Sequence, residues 1–294
     1  DSGIDASSDK TIFVLSTTKG NVSLLEKNVC GVDDNRVLLG VMANVISCHF
    51  GNSNMPIVVS NACISGVCAQ IVAKRCLESS KYDNAVVIGA DEQSPFIVSG
   101  FMSFRALSPE VCHPFSKNRN GLNLGEAAAT IIYQRCDNVI DGWQAVKGAI
   151  RNDANHISGP SRTGEGSYRA LKYVMTDEVV PADIAVVNVH GTATVYNDDM
   201  ESIALSRAGL SDTPINGYKG YYGHTMGAAG ILESILSMKA LDNGLILPTR
   251  GFDEIGVTHP VNISNKYRHT DKKKFIKLLS GFGGCNVAML FSKG

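Results

Sequence analysis

Short β-branched apolar runs alternate along the chain with segments whose apolar residues recur three and four apart, and this alternation limits the fold more than any other feature. The runs are TIFVLSTT at 11–18, PIVVSNA at 56–62, NAVVIGA at 84–90, AAATIIYQ at 127–134, AVKGAI at 145–150 and IAVVNVHG at 184–191. Each is bounded by turn residues and lacks a polar face, as strands covered on both sides do. Between them, RVLLGVMANVISCHF, SGVCAQIVAKRCLESS, GSYRALKYVMTDEV, NDDMESIALSRAG and GAAGILESILSMKALDNG carry the helical spacing. Strands and helices in alternation predict an α/β fold. KKFIKLLSGF and CNVAMLFSK at the end predict a closing antiparallel pair across a glycine-rich turn.

The pattern also repeats. VVSNACISG runs from a strand into a helix in the first half, and VVNVHGTAT does so before NDDMESIAL in the second. Two similar α/β halves are expected, 1–140 and 141–294, with a soft boundary near 136 to 143.

Composition removes several function classes. The 294 residues are 44% hydrophobic and 19% charged with a net charge of -1, so disorder is not expected to dominate and nothing points to nucleic acid. Lys272 to Lys274 is the one notable basic cluster and reads as a solvated turn. No apolar stretch of about twenty residues is present to cross a bilayer, and DSGIDASSDK has no signal-peptide pattern. Cys30, Cys48, Cys63, Cys68, Cys76, Cys112, Cys136 and Cys285 form no CxxC pair, and several lie in apolar runs. Reduced thiols, no metal site and a cytoplasmic location are the expectation.

One of those cysteines stands apart. In SNACISG, Ser60 to Gly66, a strand enters a tight turn of small residues and then a helix, which places Cys63 at the helix's positive end. Backbone amides and the helix dipole there are expected to lower the thiol pKa and make the sulfur nucleophilic. A free cysteine is otherwise a core residue, as Cys68 and Cys76 within the helical pattern should be. VHGTAT, Val189 to Thr194, puts His190 at the carboxyl end of a strand, where α/β proteins build sites. KGYYGHTMGAAG, Lys219 to Gly230, puts His224 beside glycines at the start of a helix. His49, His113, His156, His259 and His269 lack such settings and are expected to be structural or on the surface.

Together these motifs resemble the β-ketoacyl-acyl carrier protein synthases of the thiolase superfamily, in the elongating branch with a Cys-His-His triad. ACISG around Cys63 resembles the nucleophile segment, PFSKNRNG (Pro114 to Gly121) with Gly125 and Glu126 the central loop, and HGTAT with Asn197 and Asp198 the first histidine motif. Lys219 to Gly230 resembles the lysine and second histidine motif, and GFGGCN (Gly281 to Asn286) the closing turn. Pro160 and Ser161 with Gly164, Glu165 and Gly166 are a weaker echo. The resemblance implies a thiolase-like fold of two α/β halves in α-β-α-β-α layers, and a decarboxylative Claisen condensation between an acyl group on Cys63 and malonyl-acyl carrier protein. It implies that His190 and His224 stabilise the enolate, that Lys219 orients the histidine region and that Glu126 supports that network. The amides of Cys63 and Phe282 would form an oxyanion hole, Phe282 would gate the acyl pocket, and Phe115, Thr192 and Thr194 would assist or contact substrate. No cofactor is implied beyond the phosphopantetheine of the carrier protein, and the expected assembly is a homodimer that touches neither nucleic acid nor membrane.

The resemblance also implies roughly 80 to 100 further residues before this start, including a first core strand. Ala193, Cys285, Leu122 and the run Leu278, Leu279 and Ser280 depart from the usual pattern. Two other readings stay open: a non-catalytic chain-length partner of a synthase heterodimer, which usually lacks the cysteine, and a thiolase-like acyltransferase, which Cys285 in the closing turn would serve.

Overall fold

A computed structural model describes residues 2–25, 34–136, 142–175 and 178–294. Cys30 and the predicted boundary at 140/141 lie outside these residues.

Two sheets carry the fold. The first contains β1 (Thr11–Ser16), β2 (Ile57–Val59), β3 (Asn84–Asp91) and β4 (Ala127–Gln134), in the order β2-β1-β3-β4. β1 is parallel to β2 and β3, and β4 is antiparallel to β3. The second contains β5 (Trp143–Asn152), β6 (Ile184–Asn188), β7 (Ile215–Asn216), β10 (Lys274–Gly281) and β11 (Cys285–Lys293), in the order β5-β11-β10-β6-β7. β6 is parallel to β7 and β10, and β11 is antiparallel to β10 across the glycine-rich turn. Strand for strand, β7-β6-β10-β11 repeats β2-β1-β3-β4 in order and direction. β5, antiparallel to β11, has no counterpart on β4 among the described residues. A small ribbon of β8 (Leu245–Ile246) and β9 (Arg268–His269) lies between β7 and β10 in sequence.

The helices are α1 (Leu39–His49), α2 (Ser65–Glu78), α3 (Pro95–Ser103), α4 (Glu165–Val174), α5 (Val195–Arg207), the single turn α6 (Lys219–Tyr222) and α7 (Ala229–Asp242). α3 is not among the helices read from the sequence. Its apolar stretch lacks a polar face, but Ser94 caps it by accepting from the Ile97 amide at 3.3 Å, and Pro95 occupies the first turn.

Alternation along β10 sorts the core into layers. Ile276 and Leu278 pack with Leu171 and Val174 of α4 and Leu205 of α5 on one face. Phe275 and Leu279 pack with Val67 and Ile71 of α2 and Met238 and Leu241 of α7 on the other. α2 and α7 also cover the first sheet, where Ala69, Ala73 and Ile231 meet Ile12, Val14 and Val87. The two helices therefore form a middle layer with a sheet on either side, and α4 and α5 cover the outer face of the second sheet.

Two glycines set how close α2 and α7 come. A Cβ on Gly66 would lie 2.8 Å from the Gly227 carbonyl oxygen, and one on Gly230 would lie 2.6 Å from the Val67 amide nitrogen. Only hydrogen fits at either place. Gln70 ties the pair further, donating to the carbonyls of Gly66 and Gly230 at 3.1 Å each. Gly66→Ala should force the helix starts apart and lower stability by about 1–3 kcal/mol, the usual cost of overpacking. Urea unfolding measures this, and an unchanged midpoint would mean the contact is looser than described.

Candidate active site

The starts of α2 and α7 and the end of β6 meet at one cavity of about 660 Å³, lined in part by Phe101, Phe104, Leu122, Thr192, Thr194 and Phe282. Cys63, His190 and His224 also line it. The Cys63 sulfur and one ring nitrogen from each histidine all lie within 4.8 Å of one another. Residues 127 and 34 positions apart are thus brought into contact range, and the imidazole rings cross edge to face with centroids 5.1 Å apart. The same three atoms have the spacing to chelate a soft ion, which would occupy the sulfur.

Each side chain is held by a local device. Ala62, just before Cys63, has a left-handed φ of 46°, and Ser65 braces that turn by donating to the Ala62 carbonyl at 2.6 Å and accepting from the Asn61 amide at 2.7 Å. His190 follows β6, and its loop buries backbone N–H groups that need acceptors. Glu201 accepts from the amides of His190 and Gly191 at 2.6 and 2.8 Å, while Asp198 accepts from Thr192 at 3.1 Å and Phe115 at 2.7 Å. His224 hangs from the Asn123 carbonyl through its own amide at 2.7 Å. Asp91 at the end of β3 holds the next turn, accepting from Gly227 N at 2.7 Å and Thr17 Oγ1 at 2.7 Å.

The hydrogen bonds also assign a proton. His224 Nδ1 accepts from the Met226 amide at 3.2 Å, so its hydrogen sits on Nε2, which is buried without a protein partner among the described residues. His190 Nδ1 is likewise buried and unpartnered there, so no protein contact at Nδ1 fixes its tautomer.

Burial governs the charges. It pushes the pKa of both imidazoles well below 6.5, with the Lys219 ammonium acting in the same direction, so both rings are neutral at physiological pH. It pushes the Cys63 thiol up to about 11, against the Lys219 charge and the backbone N–H groups of Cys63 and Phe282, which favour the thiolate. The lowered thiol pKa expected from the helix start is thus corrected: α2 begins at Ser65, beyond Cys63, and the loss of hydration outweighs the amides.

Lys219 is fully buried and donates to the His190 carbonyl at 2.6 Å and to Glu233 Oε1 at 2.9 Å. Glu233 meets a second buried ammonium, Lys277, at 2.6 Å through Oε2. Burial raises the Glu233 carboxyl, but the two ammonium groups outweigh it and hold the pKa below 4.5. Glu126, the acid expected in this network, is exposed instead and accepts from the Gln93 amide at 3.1 Å. Its neighbour Gly125 donates to the His224 carbonyl at 3.0 Å, but the Glu126 side chain turns outward just before β4, and Glu233 of α7 is the acid that pairs with Lys219. Phe115 is also displaced: it is buried in the core with Val189 and Ile215 and does not line the cavity. Thr192 and Thr194 do line it, their hydroxyls 2.9 Å apart, and Phe282 packs on Phe101 and Phe104 with ring centroids 5.6 and 4.9 Å away. His156, expected to be structural or on the surface, is exposed and lines the cavity as well.

Comparison with known proteins matches residues 3–138 to the beta-ketoacyl synthase N-terminal domain and residues 144–253 to the C-terminal domain. The chain is 27% identical over 298 residues to 3-oxoacyl-[acyl-carrier-protein] synthase 2 of Vibrio cholerae, covering 93% of this chain and 72% of the relative. It is 28% identical over 283 residues to the 3-oxoacyl-[acyl-carrier-protein] synthase homolog of Saccharomyces cerevisiae, covering 88% of this chain and 63% of the relative. Among solved structures, a ketosynthase in complex with its chain length factor from Xenorhabdus doucetiae superposes with a TM-score of 0.87 at 27% identity, over 97% of this chain and 75% of that one. The fold is thiolase-like, and the chain spans about two thirds of the curated relatives' length.

The pKa directions set two expectations. Alkylation of Cys63 by iodoacetamide, followed by peptide mass spectrometry, should keep accelerating from pH 7 to beyond pH 9, because the thiol titrates at about 11. A plateau below pH 8 would contradict this. The His190 and His224 ring signals in NMR should show no titration near pH 6.5.

Proposed function

The chain belongs to the beta-ketoacyl synthase family, and from that premise we propose that it condenses an acyl group with malonyl-acyl carrier protein, losing carbon dioxide and releasing a 3-oxoacyl thioester. The observation that carries the proposal is the convergence of the Cys63 sulfur with one nitrogen of each of two neutral imidazoles within 4.8 Å.

The chemistry runs in two stages. First the Cys63 sulfur attacks the carbonyl of an acyl thioester, and the carrier's thiol leaves. Because the thiol is protonated at neutral pH, a neighbouring base must take its proton. His190 is the ring free to do so, since the hydrogen of His224 is fixed on Nε2, and it hands the proton to the departing carrier sulfur, which leaves as the thiol. The amides of Cys63 and Phe282, which favour charge at the sulfur, supply an oxyanion hole for the tetrahedral intermediate.

In the second stage the malonyl thioester loses its carboxylate as carbon dioxide, and the electron pair becomes an enolate. Its oxygen receives the His224 Nε2–H bond and, in the matching tautomer, one from His190. A neutral donor suits this work, because it binds the developing charge more strongly than the ground-state carbonyl. The α-carbon then attacks the acyl carbonyl, the carbon–sulfur bond to Cys63 breaks, and the departing thiolate takes up one proton from solvent to restore the thiol. Phe282, packed at a tilt against Phe101 and Phe104, is placed to gate the acyl chain. Both substrates arrive on the carrier's phosphopantetheine, so the proposal requires no further cofactor.

The presence of Cys63 favours this reading over a non-catalytic chain-length partner. A cytoplasmic location and a homodimer belong to the proposal. Cys48, Cys68, Cys76, Cys112 and Cys285 are free thiols, which suits a reducing compartment. The outer edge of β2 is unpaired among the described residues and lies two residues from exposed Met55, so two-fold strand pairing there would bury both.

The two stages separate by mutation. His224→Ala should lower malonyl decarboxylation by about 10²–10³-fold, as loss of one oxyanion donor does, while acyl transfer to Cys63 persists. Cys63→Ala should abolish the acyl-enzyme seen by intact mass spectrometry. An acyl adduct that survives Cys63→Ala would move the nucleophile elsewhere and end the proposal.

A further inference from the structure

Lys277 stands in the middle of the apolar strand segment FIKLL, on the face that Phe275 and Leu279 turn toward the middle helices, and none of its side chain reaches solvent. Its ammonium meets five oxygens: Glu233 Oε2 and Asn188 Oδ1 at 2.6 Å each, and the backbone carbonyls of Leu278, Asn188 and Val189 at 3.1, 3.2 and 3.3 Å. An ammonium has three hydrogens to give, so five oxygens exceed what hydrogen bonding alone would assemble. Backbone carbonyls with one anion closing the shell are what replaces the hydration sphere of a bare monovalent cation.

We propose that Lys277 is a tethered cation: its ammonium fills an oxygen cage that would otherwise take up ammonium or potassium, and thereby acts as a positioning residue for His190. Four of the five cage oxygens belong to Glu233 and to the two residues immediately before His190, and the fifth is the Leu278 carbonyl. The other oxygen of Glu233 holds Lys219, which holds the His190 carbonyl. Lys277 therefore joins β10, the end of β6 and α7 at a point just beneath the histidine. Without a charge there, three buried carbonyls lose a partner and Glu233 keeps one counter-charge instead of two, an arrangement that is costly away from water.

Two variants test this. Lys277→Met fills the volume without charge, and Lys277→Ala opens the cage. The Met variant should lose about 10–100-fold in kcat, the range seen when an outer hydrogen-bonding partner is removed, with KM little changed. The acid limb of its kcat profile should move to higher pH, because the ammonium lowers both imidazole pKa values. The Ala variant should gain thermal stability and activity in ammonium or potassium chloride but not in tetramethylammonium chloride at equal ionic strength, since that ion is too large for the cage. A Met variant with the wild-type kcat and pH profile would overturn the proposal, and so would an Ala variant that responds equally to all three salts. Should the Met variant fail to fold, the salt-specific stabilisation of the Ala variant decides the matter alone. The activity measurements rest on the condensation reading, whereas the thermal measurement does not, so failure of one is distinguishable from failure of the other.

Discussion

The contact between the starts of α2 and α7 governs the rest of the molecule. Each helix follows a segment that carries a side chain lining the cavity, Cys63 before α2 and His224 before α7. The separation of those two groups is therefore set by the distance between two helix ends. Glycine hydrogens at Gly66 and Gly230 let backbone meet backbone, which no larger residue permits. Both helices are pressed between two sheets, so neither can slide without disturbing a core on each side. The site lies on the seam of the fold, where both sheets and both helices meet.

Beneath that seam lies an electrostatic floor. Lys219, Glu233 and Lys277 are all fully inside the protein and touch one another in sequence. The positive charge they leave near the histidines works with burial to keep both rings neutral. Negative groups stand on the other side of the His190 loop, where Glu201 and Asp198 bind backbone amides and are pushed by burial up to about 7 and about 6. The neutral imidazoles are thus flanked by cations on α7 and β10 and by titrating acids on α5.

Much of this was legible before any coordinates. Runs such as NAVVIGA and IAVVNVHG could be little other than covered strands, and the histidine and cysteine motifs announced themselves by standing where such strands end. The closing pair β10 and β11 was visible because a glycine-rich turn separates two apolar runs of matched length. What stayed hidden depended on partners distant in sequence. Glu233 in ILESILS looks like one polar residue on a helix, and Lys277 in FIKLL like an interruption of a strand; their pairing across 44 positions exists only after folding. Glu126 misled because family likeness pointed to an acid in the central loop, whereas geometry supplies one from α7. The thiol misled because charge at a helix start is felt only after the cost of leaving water is met, and that cost depends on depth, which a motif does not carry.

Ala62, Ala193 and Met226 hold left-handed backbone at φ 46°, 57° and 50°, each within three residues of Cys63, His190 or His224. For a residue with a Cβ that conformation costs on the order of 1–2 kcal/mol. Substitution at these positions is consequently one-sided. Glycine would relax the turn, and a β-branched residue would drive the backbone out of the shape that presents the neighbouring side chain to the cavity. The three turns leave the chain a narrow mutational corridor whose walls are torsional rather than chemical.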